Sequence, residues 1–228
     1  MYRYETHLHT FPVSKCAHSD VRETLAFYRS RGYDGVFITN HFLDGNINYA
    51  PDTPYEERIN FYFSDYESGA EIGRELGIKV FCGIELSYKG TDFLVYGLDK
   101  EWFLAHPEIM EMKKTEELPF LMANGALVVQ AHPYREAHYI DHIRLYPRSV
   151  EGVEVINGNR KPLENEMAFA YANAYHLLRT AGTDNHSGPR TKHLAGMASA
   201  EPIESVEDFI AHVRAGDMEL FYEIHDPE

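Results

Sequence analysis

The chain has 228 residues, of which 44% are hydrophobic and 13% aromatic, and its formal net charge is −15 at pH 7. This length and hydrophobic content suffice for a sizeable core, and we expect one domain over residues 1–228. No apolar run approaches the roughly 18 residues that span a bilayer. Because contacts to nucleic-acid phosphates need clustered Lys and Arg, the acidic charge excludes an extended nucleic-acid surface.

Cysteine usage and the first residues bear on the compartment. The chain has two cysteines, Cys16 and Cys82, which is too few for a disulfide framework. We predict that both are reduced and that Cys82, inside an apolar run, belongs to the core. The first residues lead directly into polar positions, unlike a signal peptide. We therefore predict a soluble cytoplasmic protein without a membrane partner.

Apolar runs typical of strands alternate with helix-like segments along the whole chain. This alternation predicts β-α-β units and a parallel sheet, which is an α/β fold. The predicted strands are 2–7, 35–40, 79–86, 93–97, 126–131, 152–156, 179–182 and 194–198, and residues 219–223 add an edge.

The segments between the strands predict helices. Asp20 and Glu23 have the spacing of a capping box, which opens a helix that ends near Gly32. Further helices are predicted at 61–76, 107–124, 163–178 and 205–215. Residues 44–60, with prolines and tyrosines, are predicted to form a long loop, and long loops often contact substrates.

Histidines and carboxylates recur where the predicted strands end. His7 and His9 are one residue apart, so on a strand they point to the same face, although two surface histidines in a loop would show the same pattern. The later positions of this kind are His41, Glu85, His132, Asp184 and His186. Because the carboxyl ends of parallel strands converge, we expect these side chains to meet.

This donor set predicts a metal centre. Imidazole nitrogen and carboxylate oxygen suit Zn²⁺, Mn²⁺ or Fe²⁺. A catalytic ion takes about three protein ligands, so the seven groups indicate two or three divalent ions, with Glu85 or a water bridging a pair.

Five short motifs appear in a fixed order along nearly the whole chain. They are H-L-H-T at 7–10, I-T-N-H at 38–41, C-G-I-E at 82–85, A-H-P at 131–133 and T-D-N-H at 183–186. In kind and order they resemble the motifs of the PHP (polymerase and histidinol phosphatase) superfamily.

The resemblance implies a distorted, TIM-like (β/α)7 barrel with a metal cluster, commonly of three ions, at the carboxyl ends of its strands. It also implies a ligand set. The first ion would be held by His7, His9, Glu85 and Asp184, the second by Glu85 and His132, and the third by His41 and His186.

The chain departs from the family pattern at three places. The second ion usually takes a histidine from the strand after the glutamate, and Asp92 is our candidate replacement, unless it is an exposed cap at a strand start. The third ion often takes an Asp or His from the loop after the first motif, and His18 is our candidate because Asp20 already caps a helix. Asn40 stands where the family often has Asp, which weakens an acidic role there.

Such a centre predicts phosphate-ester hydrolysis. Bound divalent ions lower the pKa of water, supply hydroxide at neutral pH and clamp phosphate oxygens. We predict a small phosphorylated metabolite or nucleotide as the substrate, with catalytic roles for Asp184, His186 and Arg135. Arg135, Arg190 and Asn157 are substrate-binding candidates, although surface salt bridges would explain the arginines and an N-G turn would explain Asn157.

Two alternatives remain at the level of sequence. An amidohydrolase also begins with H-x-H and ends with a late Asp, but it usually bridges its ions with a lysine carbamate, whereas this chain has Glu85. A non-catalytic, metal-stabilised domain, like the degenerate PHP domains attached to some DNA polymerases, would be expected to lose ligands. The sequence does not indicate the oligomeric state.

Overall fold

The computed structural model describes residues 1–50 and 52–225. In these residues the strands are β1 (Tyr2–Leu8), β2 (Gly35–Ile38), β3 (Lys79–Tyr88), β4 (Thr91–Tyr96), β5 (Leu127–Ala131), β6 (Gly152–Asn157), β7 (Leu178–Gly182), β8 (His193–Ser199) and β9 (Glu219–Ile224). The helices are α1 (Val21–Ser30), α2 (Tyr55–Leu76), α3 (Lys100–Ala105), α4 (Lys114–Ala123), α5 (Pro162–Tyr175) and α6 (Val206–Ala215), with short 3₁₀ turns at Pro107–Glu111 and Gly188–Arg190.

The strands form one sheet in the order β7-β6-β5-β4-β3-β2-β1-β8-β9. β1, β2 and β3 are parallel neighbours, as are β5, β6 and β7, whereas β4 runs antiparallel between β3 and β5. The sheet curls until the ends of β1 and β7 meet, where the Asp184 amide donates to the His7 carbonyl over 2.9 Å. The result is a mixed α/β, nearly closed barrel of the TIM-like kind.

The predicted strands match the observed ones closely. Three segments between strands differ from the prediction: the loop 44–60 and the helices 107–124 and 163–178. The loop 44–60 is shorter than expected, because α2 begins at Tyr55 directly after Pro54. The first turn of α2 contains Glu56 and Glu57, and such acidic residues suit a helix N-terminus. Because this turn is polar, it hides the apolar periodicity from which the start of a helix is predicted. Pro51, within the same predicted loop, lies outside the described residues.

Two other helices also differ from the sequence interpretation. The predicted helix 107–124 is a 3₁₀ turn followed by α4, separated at Met112 and Lys113, which have extended backbones. The structure adds α3, which Asp99 caps by accepting from the Trp102 amide over 2.8 Å. The predicted helix 163–178 ends at Tyr175 because β7 begins at Leu178.

Apolar side chains close one end of the barrel. On α6, Phe209 packs against Phe37 and Tyr96, with ring centroids 4.3 and 5.2 Å away. Arg214 of the same helix pairs with Glu151, just before β6, over 2.9 Å. Because α6 lies at the amino ends of the parallel strands, the opposite end is free for polar side chains.

Two further sequence interpretations concern single features. Cys82 packs against the apolar cluster beside α2 and is partly exposed rather than fully buried. Among the described residues, no helix combines the length and apolar character needed to cross a membrane.

Candidate metal centre

The carboxyl ends of the parallel strands bring the predicted ligands together. His7 lies within β1 and His9 directly after it, and Glu85 lies within β3. The ends of β2, β5 and β7 are followed by His41, by His132, and by Asp184 and His186. A bridge between His41 and Glu85 continues the β2–β3 pairing beyond β2. The seven strand-end residues of the sequence interpretation thus occupy one end of the barrel.

Asp92 reaches the same end for a different reason. It lies at the start of β4, and because β4 is antiparallel, its start lies beside the end of β5, where Asp92 pairs with Ala131. Its Oδ2 is 3.8 Å from His132 Nε2 and 2.6 Å from an Arg135 nitrogen. Asp92 is 3% exposed, so it is not a solvent-exposed cap.

Glu85 is the centre of the cluster. Its Oε1 lies 3.2 Å from His7 Nε2 and 3.3 Å from His132 Nε2. Its Oε2 lies 3.4 Å from His9 Nε2 and 2.6 Å from His41 Nδ1. One buried carboxylate therefore faces four imidazoles, which is the arrangement of a bridging ligand.

Asp184 forms the other side of the cluster. Its Oδ1 lies 3.5 Å from His7 Nε2, 3.4 Å from His9 Nε2 and 3.3 Å from His186 Nδ1. Within the described residues, three groups of donors have ligand atoms within 4.8 Å of one another: His7, His9 and Asp184; His7, Glu85 and His132; and His9, His41 and His186.

The charges in the cluster depend on one another. Burial favours a neutral Glu85, but the imidazoles of His41 and His7 outweigh it and hold the pKa of this carboxyl well below its usual value. Burial and the neighbouring His186 lower the pKa of His9 well below its usual value. Glu85 is thus ionised and His9 neutral, the forms in which these two side chains bind metal ions.

A divalent ion fits this donor set. In the part of the chain that the structure describes, Glu85 Oε2 and His41 Nδ1 are buried and lack a hydrogen-bond partner of suitable geometry, although they lie 2.6 Å apart. Buried polar atoms rarely lack partners, so these two indicate a ligand that both atoms contact. Nitrogen and oxygen donors suit the ions expected from the sequence, because none of these ions requires a sulfur ligand.

Glu154, which the sequence interpretation missed, stands behind His7. It lies within β6, is fully buried, and its Oε1 is 2.9 Å from His7 Nδ1. Its Oε2 accepts from the His132 amide over 3.0 Å and from the Asn157 side chain over 2.8 Å. A carboxylate on the far nitrogen of a histidine fixes the ring and its tautomer. The only signal in the sequence is a glutamate inside the apolar run G-V-E-V-I-N.

A second buried network holds His9. Ser14 Oγ lies 3.1 Å from His9 Nδ1 and donates to Asn40 Oδ1 over 2.8 Å. The Asn40 amide in turn donates to Asp65 of α2 over 3.1 Å. Asn40 thus takes part in a positioning network, and Asp65 supplies the acidic group that Asn40 lacks.

Two ligand positions have unusual backbones. His132 and Asp184 have φ angles of 26° and 58°, in the region that favours glycine. Strained backbones of this kind occur at functional sites, where the surrounding structure maintains them.

An open cavity of about 710 Å³ leads to the cluster. Its wall includes Glu85, Asp92, Asp184 and His186, and its basic residues are Lys89, Arg135 and Arg160. This is enough room for a small ligand, and the basic side chains offset the acidity of the surrounding protein.

The substrate-binding candidates lie in different places. Arg135 lines the cavity, where Asp92 and the Gly90 carbonyl hold its guanidinium. Arg190 is directed elsewhere and donates to the His18 carbonyl over 3.0 Å. Asn157 is fully buried and contacts Glu154 and Asp184 rather than the cavity surface. The exposed His18 also lines the cavity, and its amide donates to the His186 carbonyl over 2.7 Å.

Cys16 is another cavity residue that the sequence interpretation did not assign to the site. Burial opposes ionisation of its thiol, but interactions with the imidazoles of His186 and His41 outweigh burial and lower the pKa of Cys16 to about 6.

No family model matches the chain, and neither does any curated protein. Solved structures share its fold. A two-domain protein from Bacteroides vulgatus containing a predicted PHP-like metal-dependent phosphoesterase is 14% identical with a TM-score of 0.69, over 96% of this chain. The chain spans 64% of the length of that protein.

Two further structures align over nearly their full lengths. A putative metal-dependent phosphoesterase from Bifidobacterium adolescentis is 13% identical with a TM-score of 0.60, over 93% of this chain and 96% of that one. An amidohydrolase from Chromobacterium violaceum, with bound sulfate and no metal, is 12% identical with a TM-score of 0.57, over 99% and 98%. At these identities the comparisons show that the chain has the fold of PHP-like metal-dependent phosphoesterase structures.

Proposed function

We propose that this chain is a single PHP domain, residues 1–228, that hydrolyses a phosphate ester of a small metabolite or nucleotide with two or three divalent ions. Zn²⁺, Mn²⁺ and Fe²⁺ are the candidates. The activity is of the histidinol-phosphatase or nucleotide-phosphoesterase type, on a distorted (β/α)7 barrel whose strands are β1 to β7. One observation carries the proposal: Glu85 faces four imidazoles at the floor of an open cavity that also contains basic side chains.

Each proposed ion takes most of its ligands from one of the three groups of donors, and Asp92 is added to the second. His7, His9, Glu85 and Asp184 would hold one ion, Glu85, His132 and Asp92 a second, and His41 and His186 a third. Such ions supply a nucleophile from water and neutralise phosphate oxygens.

Protein side chains would do the rest. Arg135, kept in place by Asp92, presents its guanidinium at the cavity and would bind phosphate oxygens. Asp184 and His186, 3.3 Å apart, would orient the water and transfer protons beside it. Lys89 and Arg160 line the same cavity and would attract an anionic substrate into an acidic protein.

The amidohydrolase alternative rests on the likeness to the Chromobacterium violaceum protein. The sulfate in that protein is a tetrahedral oxyanion with the shape of phosphate, which is the chemistry that the proposal assigns to this fold. A bridging glutamate in place of a lysine carbamate also favours phosphate esters here. A non-catalytic domain is disfavoured because the ligand set is complete enough to surround Glu85.

The test is a panel of phosphomonoesters, phosphodiesters and cyclic amides, each assayed with Mn²⁺, Zn²⁺ or Fe²⁺. We expect hydrolysis of at least one phosphate ester. Glu85→Gln should reduce this activity by about 10²-fold or more, the scale of losing a principal electrostatic group in an active site. Glu151→Gln, a partly exposed surface pair with Arg214, is the matched control and should retain activity. A protein that binds metal yet hydrolyses none of the phosphate esters would refute the proposal.

A further inference from the structure

Three imidazoles form a distinct part of the metal centre. Ligand atoms of His9, His41 and His186 lie within 4.8 Å of one another, and the His9 ring is 4.1 Å from the His186 ring and 4.4 Å from the His41 ring. His9 also faces Glu85 and Asp184, so it serves the first ion. An ion held by His41 and His186 therefore needs a third protein ligand from another residue.

Cys16 lies where that ligand would be needed. The segment between β1 and α1 is fixed by backbone hydrogen bonds from Lys15 to Asn46, over 2.9 Å, and from Ala17 to Ser14, over 3.1 Å. These bonds on both sides hold Cys16 in the wall of the cavity that His41 and His186 also line, where its thiol interacts with both imidazoles.

A second, independent observation indicates a ligand here. His41 is 9% exposed, and its Nδ1 is buried, faces Glu85 Oε2 and has no well-formed hydrogen bond within the described residues. A polar atom that is this deeply buried requires a partner. A cation beside His41 would satisfy Nδ1 and connect this imidazole to the Cys16 side of the cavity.

His18, the candidate from the sequence, is less suitably placed. Its side chain is exposed, and within the described residues its hydrogen bonds are made by its backbone, with His186 and Arg190. For His18 to bind the same ion, its side chain would have to lose its exposed position. Cys16 already lies in the cavity wall with both histidines, and its thiol interacts with their imidazoles.

We propose that the thiolate of Cys16 is the third protein ligand, together with His41 and His186, of the third metal site. The inference deepens the proposed function and rests on its metal centre. On binding, the S–H bond breaks, a bond between sulfur and the ion forms, and the proton passes to solvent. Because a thiolate is a softer ligand than a carboxylate, this site should favour Zn²⁺ or Co²⁺ over Mn²⁺.

Cobalt(II) tests this assignment, because a thiolate bound to Co²⁺ produces a charge-transfer absorption that nitrogen and oxygen ligands do not. The full chain is titrated with Co²⁺ while its near-ultraviolet spectrum is recorded and the bound metal is counted by elemental analysis. We expect the sulfur band to appear in the wild-type protein and to vanish in Cys16→Ser, with one ion fewer per chain.

Three further variants separate the explanations. Cys82→Ser removes the other cysteine of the chain and should keep the band, and His18→Ala should keep both the band and the metal count. Cys16→His, which supplies a nitrogen ligand, should restore the ion without the band. Circular dichroism on each variant verifies that it is folded.

Several outcomes would overturn the assignment: a band that persists in Cys16→Ser, a wild-type protein that binds no third ion or binds it without the band, or loss of the ion in His18→Ala alone. A sulfur band in a protein that hydrolyses no phosphate ester would retain this assignment and reject the proposed function. A protein that hydrolyses a phosphate ester but shows no sulfur band would retain the proposed function and reject the assignment of Cys16.

Discussion

His7 shows how a buried carboxylate can prepare a ligand without touching the ion. Glu154 Oε1 contacts His7 Nδ1 over 2.9 Å, which leaves Nε2 directed at Glu85 over 3.2 Å. Burial opposes protonation of His7, but the charges of Glu154 and Asp184 outweigh it and raise its pKa well above the usual value. Glu154 thus sets both the orientation and the electron-donating strength of the ring.

Glu154→Gln should lower metal affinity by about 10–100-fold, the usual effect of losing a carboxylate behind a ligating histidine. The single NH₂ group of glutamine replaces one carboxylate oxygen, so it faces either His7 Nδ1 or the two groups that donate to Glu154, the His132 amide and the Asn157 side chain. Competition with a chromogenic chelator measures the affinity. Glu151→Gln, just before the same strand, is the control, and equal affinities in the two variants would contradict this role.

At the scale of elements, α4 is tied to the rim of the cavity. Lys114, in its first turn, pairs with Asp44 over 2.6 Å and with Glu117 over 2.7 Å. Asp44 lines the cavity and accepts from the Ser87 amide at the end of β3 over 3.0 Å. A partly buried charge cluster, formed by Lys114, Asp44 and Glu117, therefore connects α4 to the loop after β2 and to the end of β3.

Glu117, a member of this charge cluster, makes the stability of the folded chain depend on pH. Burial raises the pKa of Glu117 from 4.5 to about 7, against the attraction of Lys114. The folded chain thus holds this proton more tightly than the unfolded chain, so the stability from protonated Glu117 is present below about pH 4.5 and is lost as the pH rises towards 7. Glu117→Gln should therefore lose less unfolding free energy than the wild type between about pH 5 and pH 8.

Urea unfolding at the two pH values, with chelator present throughout, measures this difference. Glu116→Gln, at the exposed neighbouring position, should behave like the wild type. If Glu117→Gln shows the same pH dependence as the wild type, Glu117 is not the titrating group.

At the scale of the whole molecule, the metal centre lies where the barrel closes. β1 and β7 meet through the bond from the Asp184 amide to the His7 carbonyl. Several buried carboxylates share this end, among them Glu85, Asp92, Glu154 and Asp184. Burying several like charges is costly without cations, so ion binding should stabilise the closed barrel.

Chelation should therefore lower the thermal stability of the whole chain. An ion at 100 times its Kd stabilises the folded state by about 2.7 kcal/mol, which corresponds to a rise in Tm of about 5–10 °C for a chain of this size. Differential scanning calorimetry with chelator, and again after adding Zn²⁺ or Mn²⁺, measures the shift. Glu85→Gln should show a much smaller shift, and a wild-type Tm that responds to neither treatment would contradict the prediction.

The predictions from sequence succeeded where the signal is local. The apolar runs located β1, β2, β3, β5 and β6 to within a few residues, because strand burial appears directly as a run of apolar side chains. The helix starts at α2 and α3 were missed because a polar first turn and a single Asp cap are weak signals. The cytoplasmic location, the identity of the ions and the number of domains stay predictions.

The order of residues along the chain is enough to identify the donors and to show that they follow strand ends, since residue type and strand position are properties of short segments. Which donors lie together depends on how the strands assemble. The antiparallel direction of β4 brings Asp92 to the centre, and β6 places Glu154 behind His7. The segment after β1 places Cys16 in the cavity that His41 and His186 also line. These relations join residues far apart in the chain, and strand direction, register and barrel closure set their distances.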